Sequence, residues 1–445
     1  MKKDRRAFIK KSALTIGGAS LAGSVTAPFF YNTSRAAPSD IINVGLIGCN
    51  SMGFGDLEKQ LAFDDARCIA LCDVDANVLD RRAADVKNNF GQTPEKYSDF
   101  RKMLENNDLD AVIIGTPDHW HCLPMVMACE AGKDVYVEKP MANYIEECNL
   151  MVKAANKYNR VVQVGQQQRS GVMWQDIMKT IKSGELGKLR KVEIWANFNY
   201  GVGGKKEPDS PVPAGVDYDF WLGPAAKRDT FNAQRFHGYW RMFWDYGGGL
   251  MTDWGVHLID MALWAGDVTD APKTILSYGD NLSYEDNYRD VFDTMSVTFP
   301  LKEYMITWQH TAGTQNGPWD KSYGLNFICD NASIVANRSG YKILPEYDED
   351  KKADKVPGFE FDKGREDHDV HARNFLDCVK SRAKTNCPPE TGRQVALYAH
   401  MANIAARTGD GKLEWDDANN RFTNSKTANE LIVPSYRGPW QLPKV

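Results

Sequence analysis

The sequence predicts an α/β fold: a doubly wound parallel sheet first, then an α+β half built on a large, open-faced, mainly antiparallel sheet. Two observations predict it. From Ile41 to Gly165 short apolar runs alternate with amphipathic stretches, and from Val192 onward the hydrophobic period changes to two. Runs that are apolar throughout suit strands covered on both faces, as in a parallel sheet, whereas alternation suits strands with one free face.

In the first half the strand-like runs are Ile42 to Gly48, Arg67 to Asp73, Leu109 to Gly115 and Asp134 to Lys139. Between them, 75–88, 98–106 and 122–131 carry helical spacing, with Ser98 as the expected N-cap before Asp99. A helix over 144–157 and the strand Arg160 to Gly165 close a domain spanning 38–165. The second domain, 166–445, shows its alternation at Val192, Ile194, Ala196 and Phe198, at Met295, Val297 and Phe299, and at Tyr304, Ile306 and Trp308. Residues 201–217 read as a long loop. Two late helices, about 367–382 and 391–407, can pack back on the first domain, and a tail with Tyr436, Pro439 and Trp440 follows.

With 445 residues, 42% hydrophobic and 25% charged, the chain has material for two cores. A net charge of −5 and the lack of a Lys/Arg-rich run argue against nucleic acid as a partner. Residues 1–37 stand apart. A basic start with Arg5 and Arg6 precedes a weakly apolar stretch, Ser12 to Phe30, interrupted by Gly, Ser and Thr, which makes a poor permanent membrane span but a good export signal. It resembles a twin-arginine leader, with Asp4 where serine is commonest, and a cut near Ala36 or Ala37 would leave a periplasmic or otherwise exported protein. All nine cysteines follow it, an odd number without a C-x-x-C spacing, so Cys49, Cys68, Cys72 and Cys129 read as small buried hydrophobes. His368 and His371 have no third ligand in view and read as surface or interface residues; no metal is expected.

A candidate dinucleotide site follows the first strand. Gly48-Cys49-Asn50-Ser51-Met52-Gly53 is a G-x-G-x-x-G pattern with asparagine at the middle glycine, the non-glycine residue that best tolerates a left-handed backbone. Asp73 ends the second strand twenty residues after Gly53, where a carboxylate can bind ribose hydroxyls and repel a 2′-phosphate. This favours NAD over NADP; Arg81 and Arg82 are the residues that would admit NADP. Further on, Asp253 and His257 stand four apart behind the glycines Gly247 to Gly249, a spacing that puts both on one helix face. There Asp253 would orient His257 as a general base toward an alcohol.

Thr116-Pro117-Asp118-His119-Trp120-His121, Glu138-Lys139-Pro140 and the Asp253/His257 pair, in this order behind the nucleotide pattern, resemble the glucose-fructose oxidoreductase, inositol dehydrogenase and MocA family (Gfo/Idh/MocA) from about Ile41 to the C-terminus. The resemblance implies a Rossmann domain, a nicotinamide cofactor and a sugar or polyol substrate. By it, Lys139 is the lysine at nicotinamide and substrate, with a cis bond before Pro140, Glu138 lies beside the nicotinamide ribose, and Thr116, Pro117 and His121 line the cofactor pocket. Asp118 replaces the family's asparagine. Gln168 and Arg169 follow the domain-closing strand where the family places substrate contacts and Arg241 precedes the glycine run, each a candidate sugar contact with a structural ion-pair role as the other reading. Asp253, as orienting partner or substrate ligand, and His257 also belong to the substrate site. Trp174, Tyr239, Trp240 and Trp244 offer rings that could stack on a sugar, with a core role as the alternative.

These readings together predict an exported NAD-dependent oxidoreductase acting on a secondary hydroxyl of a sugar or glycoside; the family analogy favours C3 of a glycoside. Its cofactor would be tightly held and recycled in place, and the protein would form a homodimer or homotetramer through the open sheet. A redox-neutral NAD-dependent glycosidase of the same superfamily is the enzymatic alternative. A non-catalytic sugar-binding protein is the alternative from another class, and intact Lys139, Asp253 and His257 weigh against it.

Overall fold

The computed structural model describes residues 40–364 and 367–445, so the expected export signal at 1–37 lies outside the described residues. The first sheet is six-stranded and parallel. Its strands are β1 (Ile42–Ile47), β2 (Ala66–Cys72), β3 (Glu95–Tyr97), β4 (Ala111–Ile114), β5 (Asp134–Val137) and β6 (Val162–Val164), in the order β3-β2-β1-β4-β5-β6. That order reverses direction between β1 and β4, and the crevice at the strand ends there is where such sheets bind nucleotides.

The continuous apolar runs are explained by burial on both faces. In β4, Val112 and Ile114 join the core beneath α4 (Cys122–Glu130) and α5 (Ile145–Lys157). Ile113 faces the other way, toward α1 (Ser51–Leu61) and α2 (Ala76–Phe90). The short helix α3 (Phe100–Leu104) is capped by Asp99, which accepts from Arg101 N, and not by Ser98 as its position suggested. An aspartate one residue closer reaches the first-turn amides.

The second sheet has ten strands: β7 (Leu189–Ala196), β8 (Thr274–Asp280), β9 (Thr294–Pro300), β10 (Met305–Thr311), β11 (Tyr323–Cys329), β12 (Ala332–Asn337), β13 (Gly340–Pro345), β14 (Phe359–Phe361), β15 (Lys412–Asp416) and β16 (Arg421–Phe422). They run in the order β14-β13-β12-β11-β7-β10-β9-β8-β15-β16, antiparallel except where β7 meets β10. Val192, Ile194, Val297, Ile306 and Trp308 point into a core shared with Ile177 of α6 (Val172–Lys182) and Leu258 and Met261 of α7 (Val256–Ala265). The opposite face carries exposed Leu276, Tyr278 and Met305, as the period of two requires.

Two late helices tie the halves together. From α8 (His368–Ser381), Phe375 and Leu376 enter the core beside α1, and Arg373 forks onto Asp65 at 2.7 and 2.9 Å. In α9 (Pro389–Thr408), Ala396 belongs to the first-sheet core while Val395, Tyr398 and Met401 belong to the second. His371, expected at a surface or interface, is fully buried inside the chain: Ser170 Oγ lies 2.7 Å from Nδ1 and Val164 O 3.1 Å from Nε2. It pins α8 to the end of β6. All nine cysteines are free and buried.

The expected loop at 201–217 and its continuation cross to the nucleotide edge of the first sheet. Ala76 N donates to Gly215 O at 2.9 Å, Asp217 N to Val74 O at 2.9 Å, and Asn77 Nδ2 to Ala214 O at 2.9 Å. The C-terminal tail backs this crossing: Trp440 packs edge-on against Trp120 with ring centres 4.8 Å apart, and Arg437 donates to Gly223 O at 3.1 Å.

Candidate active site

A cavity of about 240 Å³ opens at the switch point between β1 and β4. Gly48, at φ +85°, makes the turn out of β1, and a Cβ there would lie 2.7 Å from Thr116 N. A Cβ on Gly53 would lie 2.3 Å from Gly48 O, so α1 starts in direct contact with the turns after β1 and β4. Only glycine allows that approach. Asn50 corrects the expectation of a left-handed backbone. Its φ/ψ of −93°/159° is extended, and Ser51, at φ +45°, takes the positive φ instead. A glycine is therefore not required at 50 for backbone conformation.

The Asn50 side chain does not cap α1, which leaves the first-turn amides facing the cavity end for an anion. Asp73 accepts from Cys49 N at 2.7 Å and Asp75 N at 2.9 Å, and burial still pushes its carboxyl above the usual value. It lines the cavity with oxygen lone pairs to spare for hydroxyl donors. Arg82, held over the Phe54 ring at 4.1 Å and paired with Asp85 at 2.9 Å, is off the cavity wall. Turn, amides and acid fit a dinucleotide without a 2′-phosphate.

The far wall comes from the second half. His237, at φ +50°, places Nε2 2.9 Å from Asp75 Oδ2 and Nδ1 3.4 Å from Asn50 Nδ2, closing the crossing segment over the site. Trp240 and Arg241 complete that wall, with the Arg241 guanidinium 4.1 Å from the Trp240 ring centre. Of the four candidate stacking rings, Trp240 alone lines the cavity. Trp174 is core, Trp244 carries Arg407 at 4.6 Å, and Tyr239 lies outside the lining.

Gly48, Asn50, Ser51, Met52, Asp73, Thr116, Pro117, His121, Glu138, Lys139 and Arg241 all line this one cavity. His121 is buried with Pro140 O 2.7 Å from Nδ1 and Thr116 O 2.8 Å from Nε2, and burial lowers it to about 4. It braces the turn after β4 against the turn after β5, where the Lys139–Pro140 peptide is cis. Glu138 is buried, accepts from Gln167 Nε2 at 2.9 Å, and is raised by burial against the pull of Lys139.

Beyond Lys139, off the cavity wall, lies the charged centre. Lys139 Nζ is 2.6 Å from Asp253 Oδ1, Tyr200 OH donates to Asp253 Oδ2 at 2.7 Å, and Arg241 Nε is 3.3 Å from Oδ1. Burial alone would raise Asp253, but the Lys139 and Arg241 charges and the two hydrogen bonds hold it far below the usual carboxylate range. This corrects the expected pairing of Asp253 with His257. The backbone over Met251–Gly255 is a π-turn and α7 begins only at Val256, so the four-residue spacing is not one α-helical turn and Asp253 swings to Lys139. His257 is buried 6% exposed, its Nδ1 has no partner, and burial, then the Lys139 and Arg338 charges, hold the ring well below its usual value. It is a neutral imidazole with one buried, unpartnered nitrogen.

Two expected substrate contacts have other partners. Arg169 Nε donates to both oxygens of buried Asp260 at 2.8 and 3.0 Å, a structural ion pair away from the cavity. Gln168 bridges His257 O at 3.3 Å and Arg338 Nε at 3.0 Å, bracing α7 from the second sheet. Tyr200 escaped the sequence reading, although it continues the alternation 192, 194, 196, 198 by one more step. The contact of His237 with Asp75 joins positions 162 apart and left no local signal.

A glycine-turned parallel sheet with an acid at the end of β2 defines an NAD-binding Rossmann domain, and a Lys–Asp–Tyr cluster with a neutral histidine beside it stands at its edge. Three matching family models place the chain more narrowly. Residues 42–166 match the oxidoreductase family with NAD-binding Rossmann fold, 170–275 and 355–442 its C-terminal alpha/beta domain, and 225–335 a further GFO/IDH/MocA C-terminal domain. The chain belongs to the Gfo/Idh/MocA family. Among curated relatives, a Glycosyl hydrolase family 109 protein of Shewanella baltica (strain OS155 / ATCC BAA-1091) is 29% identical over 206 residues, a match spanning 42% of this chain and 44% of that protein. Among solved structures, the WlbA dehydrogenase from Bordetella pertussis, in complex with NADH and UDP-GlcNAcA, aligns with TM-score 0.61 at 18% identity over 84% of this chain and 99% of that one. A levoglucosan dehydrogenase in complex with NADH and levoglucosan aligns with TM-score 0.62 at 19% identity over the same shares. At such identity these two likenesses show the fold.

Proposed function

We propose that the protein oxidises a secondary hydroxyl of a sugar or glycoside, at C3 of a glycoside in the favoured case, after export by the twin-arginine route. The observation that carries this is neutral His257, its buried Nδ1 without a partner, beside the Lys139–Asp253–Tyr200 cluster. NAD, when bound, supplies the hydride acceptor. Lys139 reaches from cavity wall to Asp253 and donates to the substrate oxygen, stabilising the charge that develops as the hydroxyl is ionised. His257 accepts the hydroxyl proton. Asp253, held by Tyr200, fixes the ammonium's direction. The ligands of the two dehydrogenase neighbours, a nucleotide-linked sugar and an anhydrosugar, support a carbohydrate substrate.

Outside the cytoplasm free NAD is scarce, so the cofactor is held and reoxidised in place; the segment latched by His237 over the cavity supports this. The free sheet face with Leu276, Tyr278 and Met305 suits a second copy, and light scattering should give a dimer or tetramer mass; a monomer mass counts against it. One observation favours a second reading. The relationship to Glycosyl hydrolase family 109 proteins supports a redox-neutral glycosidase that uses the same oxidation as its first step.

Mass spectrometry of mono- and disaccharides incubated with purified protein, with and without an artificial electron acceptor, separates the two. An intact sugar lighter by two hydrogens supports the dehydrogenase. Cleavage without acceptor and without a keto product supports the glycosidase, and no change in any sugar, with or without added NAD, rejects both.

A further inference from the structure

Asp118 stands inside the charged centre and is not used by the reaction as written above. It lies on the turn after β4, 1% exposed, and neither carboxyl oxygen has a hydrogen-bond partner. A Cβ on Gly247 would come 3.2 Å from Asp118 Oδ2 and 3.1 Å from Arg241 Cα, so this carboxyl occupies space opened by a glycine next to the Arg241 backbone. Arg241 itself is loosely held. Asp253 Oδ1 already takes Lys139 at 2.6 Å and Oδ2 takes Tyr200 at 2.7 Å, and Arg241 Nε, 3.3 Å from Oδ1, makes no hydrogen bond. Its side chain is 30% exposed, toward the cavity it lines.

A buried carboxylate next to a guanidinium should pair with it, because an uncompensated buried charge is strongly unfavourable. Asp118 and Arg241 are neighbours and do not pair. Buried without a partner, this carboxyl is far less costly protonated than ionised.

Resting on the dehydrogenase reading, we propose that Asp118 is a positioning residue: protonated, it leaves the Arg241 guanidinium facing the cavity to bind a substrate oxygen, and ionised, it draws Arg241 away into an ion pair. The groups facing it agree with a proton held at neutral pH. Burial is the largest influence and raises Asp118 to about 8; the Arg241 and Lys139 charges oppose this, and Asp253 and Glu138 add to it. On its own turn, burial lowers His119 to about 3 and His121 to about 4, the two carbonyl contacts of His121 opposing the shift.

The switch has a spectroscopic readout that needs no substrate, because Arg241 rests on the Trp240 ring and its withdrawal changes the tryptophan's surroundings. Tryptophan emission of the purified protein, titrated from pH 6 to 10, should show a transition near pH 8. Trp240→Phe and Asp118→Asn should each remove it. With whichever sugar the saccharide panel finds oxidised, KM should rise tenfold per pH unit above about 8 at constant kcat, and Asp118→Asn should hold KM flat to pH 9.5. A wild-type protein without the transition overturns the proposal, as does a transition or an alkaline rise in KM that survives in Asp118→Asn. If that variant does not fold, a transition that persists in Trp240→Phe overturns it equally. The Trp240-dependent transition without turnover of any sugar would reject the dehydrogenase reading and leave the Asp118–Arg241 switch standing.

Discussion

Tyr200→Phe tests the centre most directly, since it deletes one oxygen and leaves the ring. The hydroxyl donates to Asp253 Oδ2 at 2.7 Å, and the Asp253 side chain is 13% exposed, so water replaces the lost bond poorly. A hydrogen bond to a charged group contributes about 1.5–3 kcal/mol. With an unfolding entropy of about 2.1 cal/mol/K per residue over roughly 400 residues, a loss of about 2 kcal/mol lowers the thermal midpoint by about 2 °C. In an Asp253→Asn background the same substitution should cost under about 0.5 kcal/mol, giving a coupling of about 1.5–2 kcal/mol in the double-mutant cycle.

The pH dependence of that loss is also fixed. Asp253 is held below its unfolded value of 3.8, so the stabilisation of its ionised form is complete above that pH and is lost as pH falls toward the lower folded value. The gap between wild type and Tyr200→Phe should therefore be constant from pH 5 to 8 and narrow only below about 3.8. Calorimetry of the cofactor-free proteins across this range measures both quantities. Additivity within about 0.5 kcal/mol, or a gap that drifts between pH 5 and 8, would refute the assignment of Tyr200 to ionised Asp253.

Other substitutions test the remaining parts. Gly53→Ala forces a Cβ to within 2.3 Å of Gly48 O, a backbone atom that cannot yield locally, so stability should fall by about 1–3 kcal/mol and NAD affinity with it, read by melting with and without NAD. Arg169→Gln strips fully buried Asp260 of its partner and should cost about 3–5 kcal/mol while sugar KM stays within about twofold; a large rise in KM would restore Arg169 to substrate binding. His237→Ala removes the bond to Asp75, a contact on the order of 1 kcal/mol, and should speed NADH release about fivefold in a stopped-flow displacement, with an unchanged rate arguing against the latch.

How far the sequence reveals this molecule depends on the range of the forces concerned. The strands of the first sheet are written in runs that must be buried on both faces, and the glycines at 48 and 53 in contacts of a few ångströms within one turn. Lys139, Glu138 and His121 converge because each sits at the end of a strand or in the turn after it, and the strand order brings those ends together. What stayed hidden depends on pairings between distant segments or on local departures from ideal geometry. A π-turn adds nothing visible to the residue pattern, yet it sends Asp253 to Lys139 and leaves His257 unheld. The same holds for Arg169, whose partner Asp260 lies 91 positions away and whose type alone suits a sugar as well as a carboxylate.

The Lys139–Asp253 bond also makes the two halves of the chain depend on each other. Lys139 follows β5 of the first sheet, whereas Asp253 precedes α7, and Tyr200 follows β7 of the second sheet. A shift of one half by an ångström would lengthen a 2.6 Å ion pair and leave a carboxylate and an ammonium partly unmet in a site that water barely reaches. The cost of that separation holds the halves in register, and the helices α8 and α9, which contribute to both cores, add to it. The lysine and the histidine of the proposed reaction therefore come from different halves of the chain, but their relative position is set by one buried carboxylate. Asp253 acts as the mechanical link of the site, a role that a helix-face partner of His257 could not have filled.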